Sequence, residues 1–557
     1  MADFKLKLHR GEGMVLIAMN WCQGTPPAGF VGFAIEYALP GSAHFIEMKN
    51  RLAFTYPPAA PGQVAQQFPT KQAPIQKFRW VHFPPDVSAP GAFTYRVTPI
   101  FMDANGTLSE GAAVTQEIVL GDETYPGQLN ITFTRGHIAS QAFIDRYGGQ
   151  AALKTLLPAK VGQGMSFTPT HPQKDDAYAW MGFEARQAIF SLLDKAVADT
   201  TAQVSMVAFD FNLPDVVDRL KKIGPRLRLI VDDSKDHTKA GSAEGDACAR
   251  VAASGAQVKR QHMSALQHNK MLIIDGQQKK AVGGSTNFSW NGFLVQSNNA
   301  VIVTGKDAVA PFQAAFETYW NHPGDFPTSA SAAWTTLPLD GIDVEVSFSP
   351  HGSTNARLQD IANDIDQTKS SLFYSLAFLY QVKTGPIHAA IERVTNTPNR
   401  FVYGMSDEDA AIMVKTPGAA NPKPVYYKSL QKNVPPPFKP QANTTGIHLH
   451  HKFVVIDFDL PSARVYTGSH NFSDAADRKN GENLILISDA KVATAYMVEA
   501  VRLFDHYHFN LAQSDASASN KPLLLRKPPS QPNDKPWWDE DYTDPVKIKD
   551  RMMFCPL

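Results

Sequence analysis

Two stretches of the chain, QHNKMLIIDG and LHHKFVVIDF, place the same reactive residue types at the same spacing. The first carries His268, Lys270 and Asp275; the second carries His450, Lys452 and Asp457. Each is followed by the sequence G-S-x-N-F-S, at Gly284 to Ser289 and at Gly468 to Ser473. Beyond those turns, Asn298 and Glu482 occupy matching places. An imidazole can act as a nucleophile or move protons. A lysine supplies a point charge for phosphate oxygens. A Gly-Ser-x-Asn turn adds backbone N–H groups, the hydroxyls of Ser285 and Ser469, and the amides of Asn287 and Asn471, a nest suited to an anion. Two such half-sites brought face to face would stabilise charge on one phosphate. That chemistry requires no metal and no other cofactor.

Residues two apart on an extended strand share a face, so each histidine points with its lysine. Asp275 and Asp457 then fall on the opposite face, which makes them supporting residues. The apolar runs between lysine and aspartate read as buried strands that hold the histidines rigid. A zinc site at His448, His450 and His451 fits less well, because 450 and 451 face opposite ways, no cysteine is near, and the twin stretch has only His268. His262 and His470 suit a loop as well as a pocket. In DDSKDH (232–237) the acidic residues follow a strand, as Asp407 does, and read as caps. Lys259 and Arg260 suit a solvated face better than contact with a polyanion.

The elements that must position these groups recur in the same order. EARQAIFSLLDKAV places Ile189, Leu192, Leu193, Ala196 and Val197 on one helical stripe, and QVSMVAFDF and RLRLIVDD follow as strands. ARLQDIANDIDQTKSSLFYSLAFLY and NRFVYGMSD repeat that helix-then-strand order. The pattern predicts an internally duplicated α/β fold with mixed sheets.

These residues resemble the phospholipase D superfamily, whose members carry two H-x-K-x-x-x-x-D motifs, each followed by G-S-x-N. The resemblance covers about 165 to 510. The second block, GSHNFSDAADRKNGENLILI, is most similar to the bacterial nuclease and mitochondrial cardiolipin-hydrolase branch. It implies two α/β/α lobes related by a pseudo-twofold axis and a covalent phosphohistidine. It also implies catalytic roles for His268, Lys270, Asn287, His450, Lys452 and Asn471. Members often carry a carboxylate downstream of G-S-x-N that orients a histidine. Here the second half has Glu482 and the first has Asn298, so the two histidines should differ. We expect His268 to attack phosphorus and His450 to serve as acid and then base.

Residues 1–125 read as an all-β accessory domain, a sandwich of immunoglobulin or fibronectin type. GAFTYRVTPIFMDANGTL alternates Phe93, Tyr95 and Val97 on one face and then turns at Asp103 to Gly106. The expected plan continues with a linker at 126–164, lobe 1 at 165–335, lobe 2 at 336–513 and a C-terminal strap at 514–557. In that strap, Trp537, Trp538 and Tyr542 suit anchoring onto the folded body.

The formal net charge is zero over 557 residues, which removes bulk attraction for nucleic acid. Three scattered cysteines argue against a disulfide framework. No secretory signal or transmembrane run is visible, so a cytoplasmic location is the default, with export lacking a classical signal as the exception. With both half-sites on one chain, a monomer suffices. The expected activity is metal-independent phosphodiester hydrolysis, first on phospholipid headgroups. The alternatives are a nuclease acting on DNA or RNA, and a binding protein that keeps the fold without catalysis.

Overall fold

A computed structural model describes residues 3–56, 67–136, 140–352, 356–407, 425–426, 448–518, 523–531 and 533–557. Two mixed sheets dominate it. The first has the spatial order Leu129–Phe133, Asn299–Thr304, Lys279–Gly284, Met271–Asp275, Gln203–Ala208, Leu227–Val231, Gln257–Arg260. The second runs Ile342–Ser349, Glu482–Ser488, Arg464–Gly468, Lys452–Ile456, Ser371–Leu376, Phe401–Ser406, Val425–Tyr426, with one more strand, Thr335–Leu339, outside the first. Position for position, the strand senses agree: four antiparallel pairings and then two parallel ones.

The strand that follows Lys270, MLIID, and the strand that begins at Lys452, KFVVI, are central in their sheets, and all their residues but Asp275 are buried. β-Branched and aromatic residues suit that setting, packing against neighbours on both faces of the pleat. One apolar core lies between the two sheets and draws on both, through Ile273, Val301, Phe312, Tyr319, Val455, Val465 and Ile485. Outside it, helices Lys174–Ala198, Pro214–Ile223 and Ala243–Ala252 cover the first sheet. Helices Ala356–Asp366 and Pro386–Thr395 cover the second. The stripe expected at 189–197 is the buried side of the first of these helices, with Val197 half-buried.

Within 126–164, expected as a linker, the described residues include a strand and two helices. Leu129–Phe133 is the edge strand of the first sheet, and Gln141–Tyr147 and Gln150–Leu156 are helical. Five residues buried along one strand are too few to show a period in the sequence, and only pairing with Asn299–Thr304 defines them.

Ahead of this lie two antiparallel sheets. One contains Phe4–Arg10, Val15–Trp21 and Arg79–His82; the other is built on Phe30–Ala38 and Ala92–Met102. Phe93, Tyr95 and Val97 face the core they share. Strand Val15–Trp21 is buried on both faces: Val15, Ile17 and Met19 join that core, whereas Leu16 and Ala18 join the core between the two mixed sheets. Trp537, Trp538 and Tyr542 pack on the first of these cores. Trp537 stacks on Phe78 at 5.3 Å, and its indole N–H donates to the Phe30 carbonyl at 3.0 Å. No helix among the described residues is long and apolar enough to cross a membrane.

The Trp538 indole is buried against the N-terminal sheets, so Trp538→Ala should lower stability by about 3 kcal/mol through the cavity left behind. An unchanged urea midpoint would show that the C-terminal segment does not brace this region.

Candidate active site

His268 and Lys270 precede one central strand, and His450 and Lys452 stand at the start of the other. All four side chains are buried. Each lysine ammonium donates to the carbonyl of its own histidine, Lys452 to His450 at 2.8 Å, so each histidine–lysine pair forms a closed unit.

The histidines take their partners from opposite halves. His268 Nδ1 lies 2.9 Å from both carboxylate oxygens of Glu482. His450 Nδ1 lies 2.7 Å from Asn298 Oδ1, and the Asn298 amide nitrogen donates to the Gly292 carbonyl, which fixes which end of the amide faces the imidazole. Parallel bridges join the residues just before these groups, Gln267 with Gly481 and Ser297 with Leu449. In each histidine Nδ1 therefore carries the proton and Nε2 is left for the reaction.

The electrostatics of the two differ. Burial lowers His268, and Glu482 opposes that shift. His450 is pushed well below the ordinary histidine range by burial and then by the Lys452 and Lys270 ammoniums, with no carboxylate against it. Burial pushes Lys270 down to about 8 against the pull of Glu482, Asp210 and Asp232. Lys452 is driven well below its usual value by burial and by Lys270. Although burial works against it, Glu482 is held below the usual carboxylate range by His268 and Lys270. The two buried lysines are close enough to shift one another, and a negative charge between them would offset the cost of burying both.

The Gly-Ser turns wrap these groups tightly. Gly284 and Gly468 have φ of 123° and 140°, and a Cβ would meet the carbonyl oxygens of Asn299 at 2.6 Å and Asn483 at 2.2 Å. Only glycine fits there. The serine hydroxyls, expected as supporting donors of the nest, make hydrogen bonds within the turns' surroundings. Ser285 Oγ accepts from the Asn299 N–H at 3.0 Å, and Ser469 Oγ donates to Glu482 at 2.6 Å. Asn287 donates to Asp210 Oδ2 at 2.8 Å; Asn287 and Asn471 each keep a buried, unpartnered amide oxygen.

Asp275 and Asp457 lie at the far ends of their strands. Asp275 pairs with Lys279 at the surface, while Asp457 is buried and accepts the N–H groups of Lys369, Ser370 and Ser371. His451 turns away from His450 to Glu499 at 2.9 Å, so the adjacent histidines do not converge on one ion. His470 is buried, accepting from the Phe472 N–H and lying 3.7 Å from Asp477. His262 is exposed against Asp233. Lys259 donates to the Trp320 carbonyl, and Arg260 to those of Asp232 and His237, so both brace backbone. Asp232 and Asp407 cap the backbone N–H groups of Gln267 and of His448 and Leu449.

Sequence reasoning missed Asn299 and Asn483. Asn299 reaches Thr467 and Tyr496 of the second half, and Asn483 reaches Gly284 and Asn269 of the first. Their signal was present: each stands fifteen residues after its glycine, beside Asn298 or Glu482. Asp210 and His237 carried no repeat signal at all.

A family model described as cardiolipin synthase, PLD-like domain, matches residues 189–320 and 365–504, spans that hold both histidine–lysine pairs and both Gly-Ser turns. A mitochondrial cardiolipin hydrolase of Chlamydomonas reinhardtii is 27% identical over 110 residues, covering 20% of this chain and 46% of the relative. A phospholipase D of Rickettsia bellii is 46% identical over 48 residues, 9% of this chain and 22% of that protein. The chain thus spans less than half the length of these curated relatives. Among solved structures, phosphatidylserine synthase of Haemophilus influenzae shows 12% identity and a TM-score of 0.36, covering 66% of this chain and 93% of that one.

Lys270 is charged below about pH 8 and neutral above it, so the affinity for tungstate, a tetrahedral oxyanion, should fall as pH rises through that value. Calorimetry should show the fall in the native protein and a flatter profile in Lys270→Met. Equal profiles in both would remove Lys270 from the anion pocket.

Proposed function

Because the chain belongs to the phospholipase D superfamily, we propose that it is a metal-independent phosphodiesterase that hydrolyses phospholipid headgroups through a phosphohistidine on His268. The observation that carries this reading is the unequal pairing of the histidines, His268 with a carboxylate and His450 with an amide. When His268 Nε2 attacks phosphorus while Nδ1 keeps its proton, the ring becomes an N-phosphoryl imidazolium. The Glu482 carboxylate, 2.9 Å from Nδ1, stabilises that positive charge, and Asn298 offers His450 no equivalent.

In the first step the phosphorus–oxygen bond to the leaving alcohol breaks as His450 Nε2 gives that oxygen a proton. In the second, neutral His450 takes a proton from water, the hydroxide attacks phosphorus, and the phosphorus–nitrogen bond breaks to restore His268. Lys270, Lys452 and the amides of Asn287 and Asn471 hold the non-bridging oxygens throughout. With the charge stabilisation supplied by these groups, EDTA should leave turnover intact.

A lipid substrate is supported by the zero net charge, by the use of Lys259 and Arg260 as backbone braces, and by the cardiolipin and phospholipid names of the matched family and relatives. The carboxylate of Asp210 acts on both lysines and offsets part of their positive charge. The matching strand orders support two lobes related by a pseudo-twofold axis and sharing one site, so that a single chain is catalytic; the first lobe then begins at strand Leu129–Phe133, not at residue 165 as expected. The two N-terminal sheets and their common core support an accessory β-sandwich.

Labelled phosphatidylcholine or cardiolipin should be cleaved and oligonucleotides left intact; the reverse outcome makes the protein a nuclease. Acid-quench trapping should recover a phosphorylated peptide containing residue 268, and recovery of residue 450 instead would reverse the roles. Replacing the charge in Glu482→Gln should lower kcat by about 10²-fold or more. Burial and the Lys452 and Lys270 ammoniums disfavour the second proton that His450 must carry to act as the acid. The protonated form is therefore lost as pH rises, and kcat/KM should decline from the acid side. A kcat/KM that rises through neutrality would contradict His450 as the acid.

A further inference from the structure

We propose that His237 is a positioning residue for Asn287, acting through Asp210, and that this relay makes the first half-site a preset oxyanion donor. The inference rests on the phosphodiesterase reading given above.

A continuous chain of contacts joins the backbone before His268 to the amide of Asn287. It starts at Asp232, which is fully buried at the end of strand Leu227–Val231. One carboxylate oxygen accepts the Gln267 N–H at 2.7 Å; the other accepts the Ser234 N–H at 2.9 Å and faces His237 Nδ1 at 2.9 Å. His237 Nε2 faces Asp210 Oδ1 at 3.4 Å, and Asp210 Oδ2 accepts from Asn287 at 2.8 Å. Between these groups the Phe209 ring packs edge-on against both imidazoles, 4.8 Å from His237 and 4.7 Å from His268.

To meet carboxylates at both nitrogens, the His237 ring must carry two protons. Burial opposes that state, but hydrogen bonds to Asp210 and Asp232 raise the group to about 10, so it is an imidazolium at neutral pH. Ligand atoms of Asp210, His237 and Glu244 all lie within 4.8 Å of one another, a spacing that would suit a metal. A doubly protonated ring has no lone pair to offer one.

For Asn287 the consequence is orientation. Its amide oxygen is buried without a partner, so only Asp210 decides which end of the amide points where. With a carboxylate as acceptor, the nitrogen must face Asp210, and its second N–H remains for the substrate. A reversed amide would set oxygen against a carboxylate. His237 in turn holds Asp210 in place and offsets its charge. Among the described residues the second half shows no such device. Val204 and Leu372 are matched by their pairing with Ile274 and Ile456, so Asp210 corresponds to Phe378, which has no acceptor.

A double-mutant cycle read by tungstate binding tests this without needing turnover. His237→Gln should weaken tungstate binding about 5-fold to 10-fold in the native background, the effect of losing one oriented donor. In Asn287→Ala, where no amide is left to orient, the same change should shift binding less than about 2-fold. Asp210→Asn also lifts a negative charge from both lysines in either background, so there the relay is read as the difference between the native and Asn287→Ala backgrounds, which covers the case in which His237→Gln does not fold. Equal losses in both backgrounds, or no loss in either, overturn the relay. A native protein that binds tungstate and cleaves phosphodiesters yet gives equal losses refutes this inference alone. One that neither binds tungstate nor cleaves any phosphodiester refutes the phosphodiesterase reading as well.

Discussion

Each of the two motif imidazoles, His268 and His450, is held by the half of the chain that did not supply it. Glu482 reaches across to His268 and Asn298 reaches across to His450, and the bridges Gln267–Gly481 and Ser297–Leu449 bring the backbones close enough for both. Neither half could build this arrangement alone, because each would leave a buried imidazole without its orienting acceptor. The shared apolar core, the tight glycine turns and the crossing amides of Asn299 and Asn483 all keep this exchange in register. Errors in positioning are costly here. The carboxylate, the ammoniums and the imidazoles are all buried, where an unpaired charge is far more expensive than at the surface.

A duplicated scaffold would by itself give two equivalent histidines, and the chemistry proposed needs two different ones. Polar substitutions on a common frame supply the difference. Where the second half has Glu482 the first has Asn298, and where the first has Asp210 the second has Phe378. The strands carrying these residues pair in the same order and sense. Fold symmetry and electrostatic asymmetry therefore sit on separate levels: backbone pairing sets where the groups stand, and a few side chains set which proton each one keeps.

The rest of the chain is joined to this frame through buried surface. Strand Val15–Trp21 faces two cores at once, and the C-terminal tryptophans close the outer one. An alternation of apolar residues on both faces reads in sequence as an ordinary buried strand, and nothing in its pattern says that its two sides belong to different bodies.

The amino-acid sequence by itself determined the chemistry-bearing set: the paired His-x-Lys spacing, the two Gly-Ser-x-Asn turns, the duplication and the mixed α/β class. Each of these is a local or repeated pattern, and strand and helix periods are enough to place such residues on a face. It also marked Glu482 and Asn298 as the point where the halves part company. It did not determine which histidine each one serves, because that depends on how segments 214 and 152 residues apart meet across the sheets. The same holds for the serine hydroxyls, which bond within the turns' surroundings, and for His237 and Asp210, which stand outside the repeat. Partnership across a buried interface is a property of three-dimensional packing, and no spacing along one chain encodes it.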